Sequence, residues 1–347
     1  LISDSTRHRI ESFILLFAAV PFGALGCCAN LINVAVFIRQ GIGDCVSFCL
    51  LALTVSDFLS IVAGLVFNGA YVLVYVNDLA SVDTVALDVV VNHVCAMFYD
   101  ISQAVIAFVA LERCMCVTLP LRFKGMFTFH RAVLVVLGLY AFTIVVYVPH
   151  YLTSGLVWSE VPFRNLTRLT LWMSDNRPEV DLYLNSFNHI AMATIYQITV
   201  VVSSWLMVLG INRSMKFRER DTSEVGQVTA ADRKRKTTLG RGGSVNKTRL
   251  KDRSTKTQSV VKTVLCLAII SIVCNAYRLT VVYGRRFNTE FSFLGAYRNT
   301  YAVALRLLFF TQTTNASANL VVYYNLNATF RSNLVKTFCP CPKTFEK

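Results

Sequence analysis

The sequence is short of charge. Only 16% of its 347 residues are charged and 54% are hydrophobic, whereas about one quarter of a soluble domain is charged. This deficit argues against a soluble globular protein. The sequence also lacks CxxC and HExxH patterns and any Cys/His cluster at metal-ligand spacing, and its five histidines are scattered. We therefore expect neither an enzyme nor a Cys/His metal centre.

Cysteines are absent from the stretch where a disulfide framework would need them. Of eleven cysteines, eight lie in or beside long apolar stretches and two lie near the end of the chain. Cys95 is the remaining one, and the polar stretch 154–182 has none. Cysteines in helices are usually small, buried apolar residues. This distribution argues against a set of disulfides.

Long apolar runs are what the sequence has instead. Seven stretches have the roughly 20 apolar residues that cross a bilayer core. They span residues 12–38, 45–73, 88–117, 131–153, 184–212, 257–284 and 299–324, and we call them segments 1 to 7. The predicted fold is all-α: a seven-transmembrane helix bundle over residues 12–324, preceded by residues 1–11 and followed by residues 325–347.

Lysine and arginine are unevenly placed among the connections. The connections after segments 1, 3 and 5 and the tail hold 22 of them, counting Arg131 at the start of segment 4, and those on the opposite side hold 8. Positive residues concentrate on the cytoplasmic side, so we expect the N-terminus outside and the tail inside. The net charge of +14 is then a topology signal, and nucleic acid is not an expected partner. The chain begins at Leu1 without Met or a usual signal peptide, and residues 1–11 are interpreted as an extracellular N-terminus that could be incomplete.

Two polar stretches border the last segments. Residues 213–256 are rich in charge and glycine, which is typical of a largely disordered linker, and their ends are expected to extend segments 5 and 6. After segment 7, apolar residues recur at spacings of four through residue 338. This spacing predicts a short amphipathic eighth helix on the inner leaflet.

Three positions are candidates for modification. Cys339 and Cys341 directly follow the predicted eighth helix and are candidates for palmitoylation. Asn165 begins an Asn-Leu-Thr sequon in a connection predicted to lie outside, where glycosylation can occur.

Asp57 lies in the middle of segment 2, where a charge costs about 2.5–3.5 kcal/mol on insertion scales. It should face the bundle interior and find polar partners on other segments. The candidates at comparable depth are Asn30, Ser102, Asn315 and Asn319. Such a cluster can hold water or a cation, with sodium at Asp57 and Ser102 as the specific hypothesis. Alternatively, it only joins helices through hydrogen bonds.

Other charged residues lie in the outer halves of segments 3, 6 and 7. One interpretation is a buried Asp100–Arg278 ion pair, and another is that Arg278 and Arg306 line a ligand cavity. A third is that the arginines extend toward the outer interface. The candidate ligand pocket consists of Cys95, Tyr99, Asp100, Tyr277, Arg278 and Arg306.

An acid and an arginine stand side by side at the end of segment 3. Glu112 and Arg113 are followed by Pro120 and Leu121 in a basic connection. An ionisable pair is expensive in lipid and is a functional hypothesis by default. Here a cytoplasmic partner could bind it, and the pair is interpreted as a switch.

Over residues 12–338 the chain resembles the rhodopsin-like (class A) G-protein-coupled receptors. The resemblance rests on five motifs in the family's order: Asn30 in helix 1, Leu53 to Asp57 as LAxxD, Glu112-Arg113-Cys114 as D/E-R-Y/C with Pro120-Leu121 after it, Cys274 of CWxP, and Asn319 to Tyr323 as NPxxY.

The sequence departs from this family where prolines and tryptophans are usual. Asn275 and Tyr277 replace the Trp and Pro of helix 6, Leu320 replaces the Pro of NPxxY, segment 4 lacks its Trp and segment 5 its Pro. The usual disulfide cannot form, because Asp88 occupies its helix 3 position and residues 154–182 have no cysteine. This pattern is similar to divergent chemosensory and peptide-type receptors of invertebrates, especially molluscs, and it puts proline hinges in question.

The resemblance implies a multi-pass receptor of the plasma membrane. Its partners would be an extracellular small molecule or peptide, a heterotrimeric G protein, and a receptor kinase and arrestin. No cofactor is implied beyond sodium. Retinal is excluded because segment 7 has no lysine, and an amine ligand is disfavoured because Cys95 stands where amine receptors carry Asp.

The resemblance also implies roles for the switch residues Glu112, Arg113, Pro120, Leu121 and Tyr323. Arg113 would be held by Glu112 and helix 6 in the inactive state, and would meet Tyr323 when helix 6 swings outward. Two other functions stay open: a seven-helix ligand-gated channel or transporter, and a decoy receptor with impaired coupling.

Overall fold

The computed structural model describes residues 2–77, 86, 88–119, 127–161, 166–232, 243–292 and 295–338. Within these ranges the chain is a bundle of long helices with one β-hairpin. The helices that follow are numbered α1 to α8 in chain order.

Each predicted segment lies almost entirely within one helix, and the first, fifth and sixth helices are longer than their segments. α1 runs from Asp4 to Gln40 and includes a π-helical stretch at Ile14–Ala19. The next three helices are α2 (Cys45–Asn77), α3 (π-helical Asp88–Asn92, then His93–Thr118) and α4 (Phe129–Leu152). The last four are α5 (Arg177–Tyr183, π-helical Leu184–Met192 and Ala193–Asp232), α6 (Gly243–Phe287), α7 (Arg298–Ser317 and Asn319–Leu326) and α8 (Ala328–Phe338).

α1 begins earlier than expected, within the stretch interpreted as an extracellular N-terminus. The Ser3 side chain caps it by accepting a hydrogen bond from the Thr6 backbone N–H at 3.2 Å, and Asp4 lies in its first turn. The extra turns also contact α7, because Arg7 donates to Asn299 Oδ1 at 3.1 Å. Local capping and a tertiary contact therefore extend this helix beyond its apolar run.

Six helices of the described chain, α1 to α6, are long and apolar enough to cross a membrane. α7 is not among them. It is helical where segment 7 was predicted, but Ala318 divides it into helices of 20 and 8 residues. Arg306 and several amide side chains also lower its apolar character.

The connection between α4 and α5 forms a hairpin, which the all-α prediction did not include. β1 (Ser154–Val161) pairs antiparallel with β2 (Leu166–Met173). Both strands are rich in β-branched and aromatic residues, which favour strands. We call this end of the bundle the hairpin end, and the opposite end, which carries α8, the α8 end.

α5 and α6 extend far into the stretch 213–256, which was expected to be largely disordered. α5 continues to Asp232 and α6 starts at Gly243. The predicted extension of both helices is thus confirmed, and the helical parts are longer than expected. Residues 233–242 lie outside the described chain.

The bundle exposes many apolar side chains and buries many polar ones. α4 exposes Leu134, Leu137 and Val145, whereas its Thr143 and Tyr147 are buried. α3 lies centrally and packs against α2, α4, α5 and α6. Buried polar groups at such positions must find partners within the bundle, and these partners form the candidate sites.

Candidate functional site

Asp57 is buried in the bundle and both of its carboxylate oxygens accept hydrogen bonds. Ser102 of α3 donates to Oδ1 at 2.6 Å, and the Asn319 amide of α7 donates to Oδ2 at 2.5 Å. All three side chains are almost fully buried. Two of the four predicted partners therefore contact Asp57, and they join α2, α3 and α7 at one point.

The other two predicted partners, Asn30 and Asn315, do not bond Asp57 in the described chain. Asn30 donates to the carbonyls of Ala316 at 2.9 Å and Gly26 at 3.0 Å, and so joins α1 to α7. Asn315 is buried one turn before Asn319, and no hydrogen bond joins it to Asp57 in the described chain. The predicted cluster is therefore a core of three residues with a separate α1–α7 contact beside it.

The described arrangement at Asp57 satisfies the carboxylate with protein donors, and sodium at Asp57 and Ser102 stays a hypothesis. Hard cations bind several oxygen ligands, and Asp57 and Ser102 each supply an oxygen here. Asn319 presents its amide N–H to the carboxylate instead of its oxygen. The carboxylate is satisfied by two donors, and the arrangement works as an interhelical joint.

A second buried acid, Asp100, is bound from three other helices. Arg278 of α6 forms an ion pair with its Oδ1. Tyr147 of α4 and Asn188 of α5 donate to Oδ2 at 2.6 and 2.5 Å. His189 Nδ1 lies 2.9 Å from the other terminal nitrogen of Arg278. Of the three interpretations of these charges, the buried Asp100–Arg278 pair is confirmed. Asp100, Arg278, Tyr147, Asn188 and His189 are called the Asp100 network below.

Tyr147, Asn188 and His189 were not predicted as site residues. The sequence did contain a signal, because Asn188 and His189 are polar residues in an otherwise apolar run. Their role depends on facing Asp100 from α4 and α5, and a single sequence does not fix the rotation of one helix against another. Two of the missed residues, Tyr147 and Asn188, satisfy the acid's second oxygen, and the third, His189, contacts Arg278.

Two further pocket candidates lie on α3 beside this network. The Arg278 guanidinium lies 5.4 Å from the ring centroid of Tyr99, which is fully buried. Cys95 is buried, and its backbone carbonyl accepts a hydrogen bond from Ser60 of α2 at 3.0 Å. Tyr99 therefore belongs with the network, whereas Cys95 mainly takes part in α2–α3 packing.

The remaining pocket candidates lie where α6 and α7 meet. Tyr277 donates to the Ala304 carbonyl of α7 at 3.0 Å. Arg306 is half-buried, with its guanidinium 5.5 Å from the Phe67 ring centroid, a cation–π arrangement. Unlike Arg278, Arg306 keeps part of its side chain exposed.

Near the hairpin, a third polar group joins α3, α4 and α5. Arg177 is buried and donates to the His150 carbonyl at 3.1 Å and to Asp181 at 2.8 Å. His93 of α3 stacks on the His150 ring with centroids 3.6 Å apart. This group was not predicted. It joins α3, α4 and α5 near the hairpin, where the disulfide usual in rhodopsin-like receptors cannot form.

The Glu112–Arg113 pair is bidentate and buried at the α8 end of α3. Arg113 Nη2 donates to Glu112 Oε1 at 2.5 Å, and Nε donates to Oε2 at 3.1 Å. Glu112 is fully buried, and 8% of Arg113 is exposed. Two parallel charge-assisted hydrogen bonds form a strong pair. The geometry shows the expected contact between Glu112 and Arg113, and the role of this pair as a switch stays a prediction.

Tyr323 lies in an aromatic cluster between α1 and α8. Its ring centroid is 5.2 Å from that of Phe37 and 5.4 Å from that of Phe330. Its hydroxyl is buried without a hydrogen-bond partner in the described chain. In this conformation Tyr323 does not bond Arg113, and its hydroxyl is available for a new contact.

Several predicted site residues lie outside the described residues. They are Pro120, Leu121, Asn165, Cys339 and Cys341. Their proposed roles in coupling, glycosylation and palmitoylation stay predictions.

The described chain thus has a charged network toward one end of the bundle, a buried acid–arginine pair toward the other, and a polar joint between them. A search among curated proteins finds no match to the chain. A family model does match: residues 20–239 fit the serpentine type 7TM GPCR chemoreceptor Srx. Because this range is well over half of the 347 residues, the chain belongs to this family of membrane-embedded, chemosensory G-protein-coupled receptors.

Proposed function

We propose that this chain is a rhodopsin-like receptor that binds an extracellular ligand at the hairpin end and activates a heterotrimeric G protein at the α8 end. The buried, bidentate Glu112–Arg113 pair is the observation that carries the proposal. Membership of a receptor family, not an enzyme family, supports it. The narrower similarity to molluscan receptors stays a prediction.

The proposed topology has seven spans with residues 1–11 outside and α8 on the inner leaflet. Six helices qualify as spans, and α7 supplies the seventh. The excess of lysine and arginine in the connections at the α8 end supports this orientation. It would place the receptor in the plasma membrane, with Asn165 glycosylated outside and Cys339 or Cys341 acylated inside. Receptor kinase and arrestin would act at the same inner face.

The ligand would bind between the hairpin and the Asp100 network. Arg278 is already neutralised by Asp100, so an acidic or amide-bearing ligand has to compete with Asp100 for it, or bind Arg306 instead. A ligand that replaces Asp100 at Arg278 would also change the contacts that Asp100 makes with α4 and α5, so that α3, α4, α5 and α6 would all be affected. A ligand that binds one arrangement of these helices better than another shifts their equilibrium by its difference in affinity.

At the other end, activation would release Arg113 from Glu112 as α6 moves outward. Arg113 would then turn toward Tyr323, whose hydroxyl has no hydrogen-bond partner in the described conformation. The crevice opened by α6 would accept the C-terminal helix of a Gα subunit. Pro120, Leu121 and the basic ends of 213–256 would complete the contact.

The test is ligand-evoked signalling in cells that express a promiscuous Gα, after a screen of amidated peptides, small acids and amino acids. We expect Arg113→Ala to abolish the signal while its surface level stays normal. Arg39→Ala, which removes an exposed arginine at the end of α1, is the matched control and should signal normally.

Three outcomes would contradict the proposal. Normal signalling by Arg113→Ala would exclude the switch. A ligand-evoked current in cells without G protein would favour the channel or transporter. Ligand binding without G-protein recruitment would favour the decoy receptor.

A further inference from the structure

The β-hairpin has little protein packed against it in the described chain. Within the described residues β1 pairs only with β2, and the hairpin's main contact with the helices is at the end of α4. The Ser174 backbone N–H donates to the Thr153 carbonyl at 3.0 Å and closes the base of the hairpin. A two-stranded hairpin is marginally stable in water unless a hydrophobic face packs against something. This hairpin is therefore expected to gain stability from a further surface.

One face of the hairpin is apolar. Side chains alternate between the two faces along each strand, and the register aligns Leu156 with Leu171 and Trp158 with Leu169. Between Ser154 at the base and Glu160 near the tip, this face consists of Leu156, Trp158, Leu169, Leu171 and Met173. We call these five residues the apolar face.

The opposite face is mixed. It carries Val157 and Trp172, but Ser159, Arg168 and Thr170 lie among them. The hydroxyls of Ser159 and Thr170 lie 2.9 Å apart and form a cross-strand hydrogen bond on this side. The two strands therefore place Trp158 and Trp172 on faces of different chemistry.

The apolar face is open and continues a surface that faces lipid. Trp158 is 64% exposed, and Leu156 and Met173 are exposed as well. Directly before the hairpin, α4 exposes Val145 and its last residue, Leu152. Because α4 is one of the helices apolar enough to cross a membrane, its exposed apolar side chains face lipid. Exposed apolar side chains thus continue from this span into the hairpin.

A phospholipid surface is the partner that the apolar face fits. Tryptophan is enriched at the membrane–water interface, because its ring is apolar and its N–H is polar. A hairpin that begins at the end of a membrane span starts at this depth. Beyond Trp158, the exposed polar pair Glu160 and Thr167 marks the part of the hairpin suited to water. Contiguous apolar patches that stay exposed usually mark an interaction site.

We propose that the apolar face of the hairpin rests on the bilayer leaflet at the hairpin end. The Trp158 ring would lie at the level of the lipid headgroups, and Trp172 would lie on the side away from lipid. The leaflet would supply the cover that the described protein does not, and it would fix the hairpin relative to the end of α4. This goes beyond the proposed function, because it requires neither a ligand nor a G protein.

The test uses the full chain, without ligand, in phosphatidylcholine nanodiscs. The chain has three tryptophans, and phenylalanine replaces two of them in each variant, so that Trp158, Trp172 or Trp205 remains as the single fluorophore. Quenching by phosphatidylcholine brominated near the headgroup is compared with quenching by iodide in water. We expect the brominated lipid to reduce Trp158 emission by roughly half, because an interfacial ring lies within its reach. Iodide should reduce Trp158 emission little.

Trp172 is the matched control, and it should show the reverse pattern because it lies on the opposite face and is exposed. Trp205 is the positive control for lipid contact. It is exposed on α5 within a candidate membrane span, so lipid brominated deeper in the acyl chain should quench it and iodide should not.

Three results would overturn the proposal. The first is quenching of Trp158 by iodide and not by lipid. The second is protection of Trp158 from both quenchers, which is expected if a second copy or the helix bundle covers the face. The third is equal lipid quenching of Trp158 and Trp172. The thermal midpoint of each variant checks its folding. If a double variant does not fold, the difference in quenching between wild type and Trp158→Phe gives the same measurement for Trp158.

Discussion

The Asn319 amide donates to Asp57 Oδ2 at 2.5 Å and thereby ties α7 to α2 in the middle of the bundle. Ser102 binds the other carboxylate oxygen, so α3 meets the same residue. Because α7 and α3 both carry proposed switch residues nearer the α8 end, this joint is placed to fix their relative position. Its stability can be measured directly.

Replacing Asp57 with alanine should destabilise the fold. Ser102 and Asn319 would both remain buried without an acceptor, and an unsatisfied buried polar group costs about 1–3 kcal/mol. We expect a lower thermal midpoint in detergent and a reduced surface level. Asn325→Ala, which removes an exposed amide of α7, should leave both quantities unchanged. A wild-type midpoint for Asp57→Ala would show that the joint is not structural.

Sodium should have no specific effect on this protein. Both oxygens of Asp57 already accept hydrogen bonds from protein donors, so a cation would have to displace them. We expect equal thermal midpoints in sodium chloride and potassium chloride at the same ionic strength. A higher midpoint in sodium that Asp57→Asn removes would contradict the described arrangement and support a bound ion.

Neutralising one member of the Asp100–Arg278 pair should cost more than neutralising both. Removing one partner of a buried ion pair costs about 3–5 kcal/mol, because the other charge stays uncompensated. We expect Arg278→Gln to lose surface expression and Asp100→Asn with Arg278→Gln to recover part of it. Arg306→Gln, at a half-buried position, should change surface expression little. Additive losses in the double variant would show that the two charges do not depend on each other.

Tyr323→Phe should separate folding from signalling. Its ring packs against Phe37 and Phe330, but its hydroxyl has no hydrogen-bond partner in the described chain. The thermal midpoint should therefore stay unchanged, while G-protein activation falls if Arg113 needs the hydroxyl in the active state. Tyr324→Phe, at the exposed neighbouring position, is the control. Equal activation in wild type and Tyr323→Phe would exclude the contact.

The length of the apolar runs predicted the helices well. A helix that crosses a bilayer needs a minimum number of apolar residues, and such runs are visible in the sequence. It failed for the first residues of α1, where Ser3 caps a helix that is not apolar. It also failed at β1 and β2, because the length of an apolar run does not measure the strand propensity of a connection.

Contacts between neighbouring residues of the sequence were easier to predict than contacts between residues of different helices. Glu112 and Arg113 are adjacent, and the family resemblance implied their contact. Asp57 was correctly expected to need polar partners, but a single sequence could not choose Ser102 and Asn319 over Asn30 and Asn315. The hydrogen bond from Gln197 of α5 to the Ile272 carbonyl of α6, at 3.1 Å, was not predicted, since one glutamine in a mostly apolar run does not indicate its partner.

The Asp100 network also bears on how such a receptor could acquire a new ligand. Its acid is held from α4, α5 and α6 at once, so most single replacements there would pass through a misfolded intermediate. Arg306 is half-buried and lies outside this network. Diversification of ligand preference should therefore proceed mainly at positions like Arg306, leaving the network as the inherited part of the proposed binding region.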